Sequence, residues 1–167
     1  MSKTLVAFFS ATGNTKKLAE AIFEEVQGPK VLLPIEDVEE VDGYGLIFVG
    51  FPVHAHSVPY KAEVFLKRIP AGMKIAIFST HGSLHGHRLS REAVEYAVVL
   101  ASRAKVLGTY SCRGKLSLKA LDFLKQSPEH AEWADMAPSA GTHPDRHDLE
   151  EARNFARLIQ TKARQQV

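Results

Sequence analysis

Ser10-Ala11-Thr12-Gly13-Asn14-Thr15 separates an apolar run, Thr4 to Phe9, from a stretch of helical periodicity, Lys16 to Val26. Three hydroxyls and a glycine at a strand-to-helix junction suit an anion. The Ser and Thr side chains supply O–H donors. Gly13 lets the chain turn sharply so that successive N–H groups converge, and the first helical turn adds its unpaired N–H groups and the positive end of its dipole. No Arg or Lys is needed for such a cradle. The same residues also suit an ordinary tight β–α turn in which Asn14 or Thr15 caps the helix, which needs no ligand.

Working outward, Leu5 to Phe9 is continuously apolar, as expected for a central parallel strand covered on both faces. The next helix sets Leu18, Ala19, Ile22 and Val26 on one side and stops at Gly28-Pro29. Lys30 to Leu33 reads as a short strand ended by Pro34, and Glu36, Asp37, Glu39 and Glu40 as a solvated loop or helix face. Gly45 to Gly50 is a third buried strand, and Phe51 to Pro59, with its two prolines, a loop. Val58, Ala62, Phe65, Leu66 and Ile69 form a helical stripe closed by Pro70-Ala71-Gly72. A strand over Lys74 to Ser79, a polar loop over Thr80 to His87, a helix over Ser90 to Ala101 and a strand over Lys105 to Tyr110 follow. Strands alternating with helices at this spacing predict an α/β fold with a doubly wound parallel sheet and right-handed crossovers. In such sheets ligands bind at the carboxyl ends of the strands.

The last third exceeds what that fold needs. Residues 111–142 read as an excursion between the last strand and the last helix, with a short helix over Leu118 to Gln126 and another around Pro128 to Met136. His143 to Glu151 opens the final helix, where Asp148 and Glu151 have capping-box spacing and Leu149, Ala152, Ala156 and Ile159 mark the buried stripe.

A length of 167 residues, 45% of them hydrophobic and 24% charged, fits one globular domain over 1–167. The net charge of +2 is small and scattered, which argues against nucleic-acid binding. No run of about 18 apolar residues and no signal-peptide profile is present, so no membrane contact is expected and the cytoplasm is the expected location. The single cysteine, Cys112, excludes an internal disulfide or a CxxC pair and is expected to be a small buried residue. Oligomeric state has no signature in the sequence.

The pattern Ser10-x-Thr12-Gly13-x-Thr15, placed just after the first strand, resembles the FMN phosphate loop of flavodoxins and flavodoxin-like proteins. The resemblance covers residues 1 to 111 and the last helix. It implies a three-layer fold with five strands in the order 2-1-3-4-5 and FMN as cofactor. The phosphate is then expected on Ser10, Ala11, Thr12, Gly13, Asn14 and Thr15. The flavin ring is expected between Pro52, Val53, His54, Ala55 and His56 on one side and Thr80, His81, Gly82, Ser83 and His87 on the other. Three departures from the family matter. Where flavodoxins wall the ring with a Trp and a Tyr, this chain has His54 and His85 or His87, and its one tryptophan, Trp133, lies in the excursion. Flavodoxin carriers are usually acidic, and this chain is not. No glycine lies between Phe51 and Pro59, so the carbonyl flip that stabilises the one-electron-reduced flavin is expected to be harder here.

Five of the eight histidines, His54, His56, His81, His85 and His87, fall in the second and third loops and are expected to rim one cleft. Histidine delivers protons near neutral pH, and His54 and His56 are the first candidates for a catalytic donor. The same residues also fit as polar loop positions with no chemical duty. A metal site is a third reading, but neither loop holds an Asp, Glu or Cys to complete a familiar ligand set. Three functions follow: an electron carrier serving a redox partner protein, an FMN-dependent reductase acting on a small conjugated substrate, or a non-redox module binding some other phosphate ligand.

Overall fold

The computed structural model describes residues 2–53, 57–84 and 86–166. His54, Ala55, His56 and His85 lie outside them. Strand β1 (Lys3–Phe8) leads into α1 (Asn14–Glu25), β2 (Lys30–Pro34), a one-turn 3-10 helix (Ile35–Asp37) and β3 (Tyr44–Pro52). Then come α2 (Tyr60–Arg68), β4 (Lys74–His81), α3 (Arg88–Leu100) and β5 (Lys105–Arg113). The chain closes with α4 (Leu118–Gln126), α5 (Ala131–Met136) and α6 (Arg146–Gln165). All pairings are parallel, and the strand order is β2-β1-β3-β4-β5.

The two faces of the sheet follow from alternation along each strand. Leu5, Ala7, Ile47, Val49, Ile75 and Ile77 point to one side and pack on Ala62, Phe65 and Leu66 of α2 and Ala97 of α3. Val6, Phe8, Phe48, Ala76 and Phe78 point to the other and pack on Leu18 and Ile22 of α1 and on Ala152, Phe155 and Ile159 of α6. Both sets are buried, which is why these strands read as unbroken apolar runs. A Cβ at Gly50 would overlap the Phe78 ring, so this glycine is what lets that phenyl group lie across β3. No described helix is long and apolar enough to cross a membrane.

Three strands run further than their sequence suggests. β3 continues through Phe51 and Pro52, β4 through Thr80 and His81, and β5 through Ser111, Cys112 and Arg113. Pairing overrides composition here: Pro52 sits opposite Thr80, and His81 opposite Arg113. The polar side chains are accommodated by one another, with Ser79 and Ser111 hydroxyls 2.7 Å apart. The excursion therefore begins after Arg113 and lasts until α6.

Three helix starts also differ from the sequence reading, α1 beginning at Asn14 rather than Lys16. His87 caps α3, accepting the Leu89 N–H through Nδ1 at 3.2 Å, so that helix begins at Arg88 rather than Ser90. The capping box of α6 is built from Asp145 and Asp148, not Asp148 and Glu151. Pro144 bars helix upstream, which leaves Asp145 as the last non-helical residue. Its Oδ1 accepts the Asp148 N–H at 3.0 Å, while Asp148 Oδ2 accepts the Asp145 N–H at 2.8 Å.

The excursion has a core of its own. Leu124 of α4, Trp133 and Ala134 of α5, and Ala137 pack with Leu89 and Ala93 of α3 and with Val53, the residue after β3. Trp133 is only 3% exposed. This cluster anchors the excursion over the carboxyl ends of β3 and β4.

Candidate functional site

The loop from Phe9 to Gly13 is the first element of the site. Gly13 adopts φ +93°, the left-handed region that costs a non-glycine residue strain, and a Cβ there would meet nothing within 4 Å. The backbone turn, not space, requires the glycine. Neither Asn14 nor Thr15 caps α1: the N-cap is Gly13, and they are the helix's first two residues, with both side chains engaged elsewhere. Ser10 Oγ accepts the Gly13 N–H at 3.1 Å and the Lys16 N–H at 3.3 Å, which folds the loop over the start of the helix. The N–H groups of Thr12, Asn14 and Thr15 have no partner among the described residues and lie at the positive end of α1. Ala11 and Thr12 are exposed at the lip.

Thr15 turns inward. Its hydroxyl meets that of Thr80 at 2.9 Å, and both side chains are buried. One of the pair donates to the other, so one O–H proton is left to point elsewhere. The contact ties the start of α1 to the end of β4. Asn14 reaches the excursion, its amide donating to the Lys115 carbonyl at 2.7 Å. Gly114 permits this approach, since a Cβ there would lie 2.8 Å from Asn14 Nδ2.

The second and third loops lie beside the first. The Val53 N–H donates to the Thr80 carbonyl at 2.8 Å, carrying the β3–β4 ladder one residue past Pro52. His81 ends β4 as a buried residue, with Nδ1 3.1 Å from both the hydroxyl and the carbonyl oxygen of Ser83. It is a wall of the cleft rather than a mobile rim group. His87 is not among the residues that line the cavity between these loops and the excursion. With Nδ1 accepting from Leu89, its Nε2–H donates to Glu132 at 3.0 Å and links the third loop to α5. Arg113 completes the link: Nε donates to the Ser83 carbonyl at 2.9 Å, and Nη2 to the Gly82 carbonyl at 3.4 Å, the Met136 carbonyl at 3.1 Å and Ser139 Oγ at 2.7 Å.

Between these loops and the excursion lies a cavity of about 450 Å³. Ala11, Thr12 and Asn14 form one end, Pro52, Val53, Thr80, His81 and Gly82 the floor, and Leu116, Phe123, Leu124 and Trp133 the apolar roof. Its size and lining, apolar with a few polar groups at one end, are those of a small-molecule site. A second cavity of about 340 Å³ adjoins it, sharing Thr12, Asn14, Leu116 and Ser117 and adding Lys17, Lys115 and His143. His143 Nδ1 donates to Asp148 at 2.6 Å, and the Asp148 carbonyl accepts from Tyr110 at 2.8 Å.

Of the residues expected from sequence, Ala11, Thr12, Asn14, Pro52, Val53, Thr80, His81 and Gly82 line the larger cavity. Ser10, Gly13 and Thr15 shape the first loop behind it, and Ser83 supports His81. The residues that sequence reasoning missed all belong to the excursion or to its contacts with α1: Leu116, Phe123, Leu124, Lys17, Lys115 and His143. The available signal was Trp133, an aromatic of the kind a flat ring packs against, displaced into the excursion. Cys112 is buried, and burial, reinforced by Asp148 and Asp145, pushes its thiol well above the usual cysteine range. A thiolate is thereby disfavoured.

The flavodoxin domain profile matches residues 5–157 of the chain. The flavodoxin-like domain-containing protein BilS of Clostridioides difficile (strain CD3) is 30% identical, over 96% of this chain and 98% of that protein. Oxidised flavodoxin 2 from Bacillus cereus superposes with a TM-score of 0.63 at 25% identity, over 96% of this chain and 99% of that one. A flavoprotein from Lactobacillus acidophilus, solved in complex with FMN, superposes with a TM-score of 0.55 at 20% identity, over 66% of this chain and 93% of that one.

Proposed function

The chain belongs to the flavodoxin domain family, and on that premise we propose that it binds FMN in the larger cavity and transfers electrons received from a reduced partner protein. The observation that carries this reading is the continuity of a glycine-turned, hydroxyl-bearing loop, with open N–H groups at a helix start, and an apolar cavity of about 450 Å³. The donor set at one end suits a phosphate monoester, and the apolar roof and floor suit a flat ring. The residues present therefore fit the cofactor.

In this reading Ser10, Thr12, Asn14 and Thr15 and the Gly13 backbone hold the phosphate. Pro52, Val53, His54, Ala55 and His56, with Thr80, His81, Gly82 and Ser83, frame the ring. Bound FMN supplies one- and two-electron redox chemistry. The chain orients it, keeps water from its buried face with Leu124 and Trp133, and places backbone groups of the third loop at the polar edge. Phe123 lines the cavity while 60% exposed, and so forms the lip through which a partner reaches the site.

That apolar lip also favours a second reading, direct reduction of a small conjugated molecule with His54 or His56 donating the proton. Purified protein is expected to be yellow, or to quench added FMN fluorescence stoichiometrically. Colourless protein that refuses FMN would favour a non-redox phosphate module and sink both redox readings. Turnover of a quinone or other conjugated acceptor that disappears in His54→Ala or His56→Ala separates the enzyme from the carrier.

A further inference from the structure

The smaller cavity beside the first loop is lined by two lysines and no carboxylate. Lys17 stands on α1 one turn after Asn14, hence on the same helix face. Lys115 comes from the excursion and is fixed by both of its backbone groups. Its N–H donates to the His143 carbonyl at 2.8 Å, and its carbonyl accepts from Asn14 at 2.7 Å. Neither lysine has an ion-pair partner among the described residues. His143, which also lines the cavity, is bonded to Asp148 at 2.6 Å and lies 3.7 Å from Asp145, and both carboxylates also serve the start of α6. Thr12 and Asn14, the exposed face of the hydroxyl loop, line this cavity as well as the larger one.

We infer that Lys17 and Lys115 form a cationic outer wall of the phosphate site, so that the excursion supplies charge to a phosphate monoester that the first loop alone holds only with neutral donors. This rests on the FMN reading above. Two unpaired ammonium groups flanking neutral N–H and O–H donors give a dianion both counter-charge and hydrogen bonds, whereas riboflavin, which lacks the phosphate, gains nothing from them. The wall therefore selects the phosphorylated flavin and makes its binding depend on salt.

The test is a fluorescence titration of the cofactor-free full-length protein with FMN and with riboflavin, in low and high salt. Lys17→Gln and Lys115→Gln are each expected to weaken FMN about fivefold, the upper end for an exposed charge pair. The double variant is expected to weaken it about twentyfold, to leave riboflavin binding unchanged and to flatten the salt dependence. Inorganic phosphate is expected to compete with FMN; phosphate that binds alongside FMN would assign the lysines to a free anion and overturn the inference. Unchanged FMN affinity in both single variants overturns it while leaving the FMN reading intact, as does an equal loss for FMN and riboflavin. Wild-type protein that binds neither flavin removes both. Both side chains are exposed, and the single variants carry the test if the double variant does not fold.

Discussion

Replacing Gly114 with Ala adds one methyl group that, on the present backbone, would lie 2.8 Å from Asn14 Nδ2 and 3.1 Å from its Cγ. Gly114 carries no positive φ, so the substitution tests contact and not backbone strain. The asparagine has to swing away, and its 2.7 Å bond to the Lys115 carbonyl is lost. An intramolecular hydrogen bond of this kind is worth about 0.5–1.5 kcal/mol net, which corresponds to about 2- to 12-fold in FMN affinity if the bond holds the excursion against the first loop. Asn14→Ala removes the same bond without harming helix propensity and, because Asn14 also belongs to the phosphate loop, should weaken FMN by at least that factor. The double variant should then be no worse than Asn14→Ala alone, because both changes delete one contact. Fluorescence titration of the cofactor-free protein gives the three dissociation constants. Additive losses, or a Gly114→Ala protein that binds FMN within twofold of wild type, would refute the idea that this bond couples the excursion to the loop.

Thr80→Val leaves the buried Thr15 hydroxyl without its partner and should destabilise the fold by about 1–3 kcal/mol in urea unfolding, with Thr15→Val/Thr80→Val recovering part of the loss. A thiol reagent should label Cys112 slowly in mildly alkaline native protein and quickly once denaturant is added; fast native labelling would contradict the raised thiol pKa. The Asp145 carboxyl is held below its ordinary range chiefly by the Asp148 N–H. Its contribution is therefore complete above the unfolded value of about 3.9 and is lost as pH falls through the lower folded value. Asp145→Ala should lower the thermal midpoint at neutral pH and approach wild type in acid, whereas Asp145→Asn should retain most of the cap; a gap that does not close in acid would contradict this.

The centre of the sheet is legible in the sequence because Leu5 to Phe8, Leu46 to Val49 and Ile75 to Phe78 are buried on both faces, and a short unbroken apolar run between turn residues suits a doubly covered strand. The first loop is legible because its turn, hydroxyls and helix start are contiguous. Strand ends are a different matter. Thr80-His81 and Ser111-Cys112-Arg113 look like loops, and become strand because Thr80 and His81 lie in register with Cys112 and Arg113. The site's roof and its cationic side come from residues whose convergence depends on tertiary packing. Lys17, Lys115 and His143 share a cavity through bonds between three separate segments, and no local pattern announces them. His87 carries a structural role that its place among the loop histidines does not announce: its ring caps α3 and bonds Glu132.

Arg113 sets a limit on how this protein can be re-engineered. Its guanidinium, through Nε and Nη2, donates to three carbonyls and one hydroxyl, two of those four acceptors belonging to the excursion, and no carboxylate neutralises it among the described residues. Trimming the chain to a bare five-stranded scaffold by joining β5 directly to α6 would strip away half of that coordination and unroof Val53 at the same stroke. A viable miniature would have to replace the arginine with a small neutral side chain and the valine with a polar one, so the shortest useful redesign involves coordinated edits at the sheet's rim.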